Sequence, residues 1–137
     1  MPLSPAHAPR RIVRCEGEQR SAAEDAVAVE EPLEIRVAGR AVAVVMRTPG
    51  HDRELAAGFL VTEGILRERD ELLDLVRCRE VTHGEPPDNI IDAVLRPGAA
   101  VDWERLTRHV FTSSSCGICS KASIAAVRER VTPLAAG

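Results

Sequence analysis

Residues 33–65, LEIRVAGRAVAVVMRTPGHDRELAAGFLVTEGI, change hydrophobic period midway, and that change constrains the fold more than any other feature of the chain. Leu33, Ile35 and Val37 alternate with polar residues, Ala38-Gly39-Arg40 interrupts, and Val42, Val44 and Met46 alternate again. This is the period-two signature of a β-hairpin. The second strand carries Ala43 and Val45 on its other face too, so it is expected to be covered on both sides and to lie inside a sheet. Pro49 and Gly50 break the strand, and Thr48 or Asp52 is placed to cap a helix whose first turn holds Glu54 near the positive end of the dipole. Leu55, Ala56, Phe59 and Leu60 share one helical face, and Gly64 closes the helix as its C-terminal glycine. Gly58, which costs about 1 kcal/mol against Ala inside a helix, is read as letting another backbone approach.

The rest of the chain extends this strand-turn-helix unit into an α/β domain. RERDELLDLVRCREV reads as a helical turn from Asp70 to Leu73 running into a short strand, and DNIIDAVLRPG as a strand ended by Pro97-Gly98. Cys78 alternates with Val76 and is read as a buried or half-buried thiol. VDWERLTRH suggests one or two helical turns with Trp103 plugging the core, and KASIAAVRERV a helix starting at or just after Cys119. Residues 1–31, with three prolines and the acidic run AEDAVAVEE, are read as a flexible leader with at most one extended piece around Ile12–Arg14. His7 and Cys15 then belong to a solvated tail, and the ordered segment is 32–137.

Composition removes several function classes. Aromatic residues are 2% of the chain, so the core must be built from Val, Leu, Ile and Ala. The 18 basic and 21 acidic side chains interleave, leaving no basic stripe for a phosphate backbone, and no nucleic-acid partner is expected. No apolar run approaches the roughly 20 residues that span a bilayer, and MPLSPAHAPRRIVRC lacks the apolar middle of a secretory signal. The expectation is a cytoplasmic protein with no membrane partner. In that compartment thiols stay reduced, so a structural disulfide among Cys15, Cys78, Cys116 and Cys119 is not expected.

The chemistry concentrates in SSSCGICSK, residues 113–121, a C-x-x-C pair in a Ser/Gly loop at the inferred start of a helix. Orphan N–H groups, the helix dipole and Lys121 all favour a thiolate there, and the loop composition favours access. Closed structural zinc needs four ligands, and the spacings of Cys78, His83 and His109 to this pair match no ligand pattern. The zinc-deaminase signature is also out of register, with Ser115 in place of Pro and His51 and Glu54 separated by two residues. A thioredoxin-like dithiol would come early, after a first strand. A thiolate that carries sulfane sulfur as a persulfide fits a loop that must visit a donor and an acceptor, with the second cysteine able to expel that sulfur and leave a disulfide. Zinc module, redox dithiol and sulfur carrier remain the three readings of the residues themselves.

Three stretches together carry a resemblance: MRTPGHDRELAAGFLVTEGI at 46–65, DNIIDAVL at 88–95 and FTSSSCGICSKASI at 111–124. Over residues 32–134 the chain resembles the FdhD family, accessory sulfurtransferases for formate dehydrogenase. The resemblance implies a cytidine-deaminase-like mixed sheet with flanking helices. It also implies sulfur transfer from a cysteine desulfurase to a molybdenum cofactor, bis-molybdopterin guanine dinucleotide, destined for formate dehydrogenase. It makes the C-x-x-C loop the persulfide site, with Cys116 the main carrier and Cys119 assisting or resolving. No permanently bound metal is implied, and a homodimer is allowed without being required. Two departures stand out: Ser120 where the family has Gly, and a chain about half the family length, which identifies it as an N-terminal portion. Loss of the remaining half would leave a non-functional remnant as the alternative. The TPGHD loop keeps two readings, Arg47 and His51 lining a groove or contacting phosphate, or a plain capped turn; His83 and His109 are read as loop and surface residues.

Overall fold

The alternating segment forms a hairpin because its inward residues have a sheet and a helix to bury them. In the computed structural model, which describes residues 6–78, 89–104 and 124, strands β3 (Glu31–Val37) and β4 (Arg40–Arg47) pair antiparallel. Their tight turn places Ala38 and Gly39 at φ 49° and 78°, the left-handed geometry that matches the twist of a two-residue hairpin. Gly39 donates its N–H to both oxygens of Asp92 at 3.0 Å, and Ala38 donates to the carbonyl of Ala93. The turn is thereby tied to β6 (Ile90–Leu95), which runs parallel to β3. Strand β5 (Leu72–Arg77) pairs antiparallel with β6, giving a mixed sheet ordered β4-β3-β6-β5.

Among the described strands β4 pairs with β3, and the interior positions belong to β3 and β6. The coverage of β4 on both faces holds, since Val42, Ala43 and Val44 are all buried. One sheet face presents Leu33, Ile35, Val37, Ala43, Leu75, Ile91 and Ala93 to α1 (Asp52–Thr62), whose buried residues Asp52, Ala56 and Leu60 recur every four positions. This is the main core. It is aliphatic apart from partly buried Phe59 and Trp103, and the Arg40 guanidinium lies 4.8 Å from the Trp103 ring centroid.

Helix α1 ends as its glycine demands. Gly64 sits at φ 68°, donates to the Val61 carbonyl, and lets Ile65 donate to Leu60, which is the paired-bond Schellman closure. At the other end His51 is the N-cap without a side-chain cap bond, and neither Thr48 nor Asp52 caps. Leu55 lies 38% exposed rather than on the buried face. A Cβ on Gly58 would meet no described atom within 4 Å, so the close approach read there finds no neighbour among the described residues.

A short 3₁₀ turn, Arg69–Glu71, precedes β5 and carries a capping box between Glu68 and Glu71. Cys78, just past β5, is half-buried with a free thiol. Trp103 and Glu104 are helical.

The N-terminal reading needs the largest correction. Residues 7–28 form an antiparallel ribbon of β1 (His7–Glu16) and β2 (Gln19–Ala28), turning at Gly17 with φ 62°, where a flexible leader with at most one extended piece around Ile12–Arg14 was expected. Its residues are mostly exposed, and the pairing is carried by the backbone without a buried side-chain face.

Candidate functional site

Buried charge on a strand between apolar neighbours requires partners. Glu34, 3% exposed on the face of β3 turned away from α1, has two. One carboxylate oxygen accepts Nε–H of Arg36 at 2.7 Å, and the other accepts the backbone N–H of Ile124 at 2.9 Å. Ile124 is helical and 2% exposed. The face of the sheet opposite α1 is therefore covered where Glu34 lies, and the covering residue comes ninety positions later in the chain.

Ile124 is five residues past Cys119. Cys116 and Cys119 themselves, with Lys121 and the whole 113–121 loop, lie outside the described residues, as do His83 and His109. Cys15 is exposed on the ribbon and Cys78 is half-buried beside β6. Among the described residues no group of three or more His, Cys, Asp or Glu side chains is placed to hold a metal ion.

The TPGHD turn resolves between its two readings. Arg47 is 7% exposed and directs Nε and one terminal nitrogen to the two oxygens of Asp52, at 3.0 and 3.2 Å. The same guanidinium reaches Glu31 at 3.1 Å and Asn89 at 3.0 Å, while Arg77 approaches Asp52 at 3.1 Å. The fan of donors on an arginine suits this bidentate use. Arg47 and Asp52 thus weld the end of β4 to the start of α1 and to the start of β6, which supports the turn reading and takes Arg47 away from a phosphate-binding role. His51 is exposed at the N-cap.

Sequence reasoning missed Glu34, Asn89 and Arg77. Glu34 occupies a polar position in an alternating strand and so looks like a solvent-facing residue. The available signal was the apolar second face of β4: Val44 pairs with Glu34 in the register, and both are buried.

Exposed carboxylates elsewhere are held by local donors. N–H groups of Arg67 and Glu68 hold the Glu71 carboxyl below its usual range, and Arg67 and Arg96 act in the same direction. Arg53, then the N–H of Leu75, lower that of Asp74.

Comparison with known proteins gives consistent findings. A sequence profile described as the FdhD/NarQ family matches residues 28–136. A sulfur carrier protein FdhD of Streptomyces avermitilis is 47% identical over 120 residues, covering 87% of this chain and 43% of that protein. The protein of the same name from Mycolicibacterium paratuberculosis is 44% identical over 129 residues, covering 92% and 47%. That of Anaeromyxobacter dehalogenans is 42% identical over 137 residues, covering 95% and 44%. A crystal structure from Desulfotalea psychrophila, described as a formate dehydrogenase accessory protein, shares the fold with a TM-score of 0.54 at 22% identity, over 65% of this chain and 37% of that one. The mixed α/β architecture expected from the sequence is thus shared with a solved structure. The chain spans less than half the length of the curated relatives it matches. No helix among the described residues is long and apolar enough to cross a membrane.

Proposed function

The chain belongs to the FdhD/NarQ family, and from that premise we propose that it carries sulfur as a persulfide on Cys116 for the activation of a formate dehydrogenase in the cytoplasm. The observation that carries this reading is the C-x-x-C pair Cys116 and Cys119 inside the matched region 28–136, together with relatives named as sulfur carriers.

The sulfur donor is the persulfide of a cysteine desulfurase. The Cys116 thiolate attacks its outer sulfur, forming the Cys116 sulfur-sulfur bond as the donor's sulfur-sulfur bond breaks and the desulfurase cysteine leaves as a thiolate. No net oxidation occurs in this exchange. The acceptor, and so the substrate, is a molybdenum cofactor, bis-molybdopterin guanine dinucleotide. Where Cys119 attacks the Cys116 sulfur, a disulfide forms and the outer sulfur departs reduced, as hydrosulfide; a cellular dithiol then restores both thiols. Lys121 stabilises the thiolate and the persulfide anion electrostatically.

The test is incubation with a cysteine desulfurase and cysteine, followed by intact mass measurement before and after a thiol reductant. A reductant-sensitive increment of one sulfur on the wild type, lost in Cys116→Ala and retained in Cys119→Ala, is expected. An increment that survives Cys116→Ala would remove that residue from the role.

A further inference from the structure

The outer edge of β5 is finished by side chains instead of by a strand. Among the described residues β5 pairs with β6 alone. In an antiparallel ladder alternate residues turn their N–H and C=O toward the paired strand, and the others turn them away. Cys78, just past β5, donates its N–H to the Ile90 carbonyl, so Val76 and Asp74 belong to the inward set, opposite Asp92 and Val94. Leu75 and Arg77 therefore point their backbone groups outward. The register shift between Leu72 and Asp74 ends the regular edge on its other side. Outward N–H and C=O groups of this kind are a template for another extended chain.

Leu75 is already occupied. Arg53, on α1, donates one terminal nitrogen to the Leu75 carbonyl and the other to Asp74 Oδ1 at 2.7 Å. The same Asp74 oxygen accepts the N–H of Leu75 at 2.8 Å. The guanidinium stands in for the N–H of a neighbouring strand, and the carboxylate for its C=O. Arg53 and Asp74 are both more than half exposed, so burial does not hold them together. Exposed pairs add little stability, but this one closes the edge.

That edge is complementary to itself. A twofold axis through Val76, perpendicular to the sheet, sets β5 antiparallel to β5 of a second copy, with Leu75 opposite Arg77 of that copy. Both residues point their backbone groups outward, so they form a hydrogen-bonded pair on each side of the axis, and the alternation of faces is kept. Val76 then meets Val76 of the second copy in a non-hydrogen-bonded pair, with about 4.5 Å between Cα atoms. Val76 and its diagonal neighbour Val94 share the sheet face turned away from α1 and are 45% and 40% exposed, apolar surface that this pairing would cover.

We infer that the β5 edge is a self-association surface whose occupant is β5 of a second copy of this chain, and that the Arg53–Asp74 pair holds it shut. Releasing the pair frees the N–H and C=O of Leu75 to bond with the second copy. The inference does not rest on the sulfur-carrier reading.

The experiment compares the whole chain with Arg53→Gln by sedimentation equilibrium, and reads the register by cross-linking Val76→Cys under oxidised glutathione, with disulfides located by peptide mass mapping. R53Q is expected to tighten self-association by at least about fivefold, the scale of one exposed ion pair. Adding Val76→Lys, which sets like charges opposite each other at the axis, is expected to return R53Q to the wild-type value. In R53Q/V76C a disulfide joining two copies at position 76 should form about fivefold faster or more than in V76C alone. Equal association and equal cross-linking with and without Arg53 would overturn the inference. Tightened association that V76K leaves in place, or that gives no disulfide at position 76, would also overturn it by assigning the effect to another surface. If R53Q loses its fold by circular dichroism, Asp74→Asn, which removes the charge that orients the guanidinium, is read by the same measurements.

Discussion

Arg47 and Asp52 face each other across the turn between β4 and α1, joined by two hydrogen bonds of 3.0 and 3.2 Å with both side chains out of water. The turn is therefore a structural joint. Arg47→Met would leave Asp52, 2% exposed, facing the Arg77 guanidinium and would deprive Asn89 of a donor. Removing one partner of a buried pair costs about 3 kcal/mol or more, so the urea midpoint should fall sharply. Replacing both, in Arg47→Met with Asp52→Leu, should recover much of that loss. A double variant as unstable as the sum of the singles would show that the two residues are not coupled.

The hairpin turn holds a non-glycine residue in left-handed backbone, Ala38 at φ 49°. Asn tolerates that region better than Ala, and Asn-Gly is the preferred pair for this turn. Ala38→Asn should stabilise the fold by about 0.5 kcal/mol, read as a small rise in thermal midpoint. A fall would mean that the Ala38 methyl makes contacts that the turn geometry does not reveal.

Gly58 sits inside α1, and among the described residues no atom lies within 4 Å of where a Cβ would go. Gly58→Ala should therefore raise stability by about 0.5–1 kcal/mol, the ordinary helix-propensity difference. Loss of stability would instead restore the idea of a close neighbour at this position.

Acid should weaken the 3₁₀ turn and β5. Glu71 is held below the usual carboxylate range first by the N–H of Arg67 and then by that of Glu68, and Asp74 by Arg53 and then the N–H of Leu75. A folded-state pKa below the unfolded one means that the stabilisation is complete above about pH 5 and is lost as pH falls through the unfolded value and then the lower folded one. Glu71→Gln and Asp74→Asn should each flatten the acid limb of a stability-versus-pH curve, with little change in its shape above pH 7. The Arg53–Asp74 pair is 59% and 53% exposed, so added salt should shrink the Asp74 effect in particular.

The elements that were legible in the sequence are those with a buried face. Strands β3 and β4 alternate because one side meets α1, and Ile91 and Ala93 mark β6 for the same reason. The closing glycine of α1 was equally readable, since a left-handed residue is required there. The β1–β2 ribbon left no such trace: Arg10, Arg11, Arg14, Glu24 and Asp25 lie exposed along it, and backbone pairing needs no particular side chains. Strand order was hidden as well, because β4 shows two apolar faces while standing at the end of the described strands.

Buried polar groups were the least legible. Glu34, Asp52 and Asn89 are residue types that usually face water, and only partners brought from other elements explain their burial. The acceptor for Ile124 lies ninety residues away in sequence, beyond the reach of any local pattern. For the C-x-x-C pair, spacing and loop composition left a zinc module, a redox dithiol and a sulfur carrier open, and Cys116 and Cys119 lie outside the described residues.

The most direct test follows a single atom. The chain is charged by a cysteine desulfurase supplied with isotopically labelled cysteine sulfur, freed of donor, and mixed with an apo-formate dehydrogenase system supplied with bis-molybdopterin guanine dinucleotide. The account predicts label on the Cys116 peptide first, followed by its disappearance from that peptide and its appearance on the cofactor. Label that never enters the Cys116 peptide, or that reaches the cofactor equally well from a Cys116→Ala chain, would contradict it.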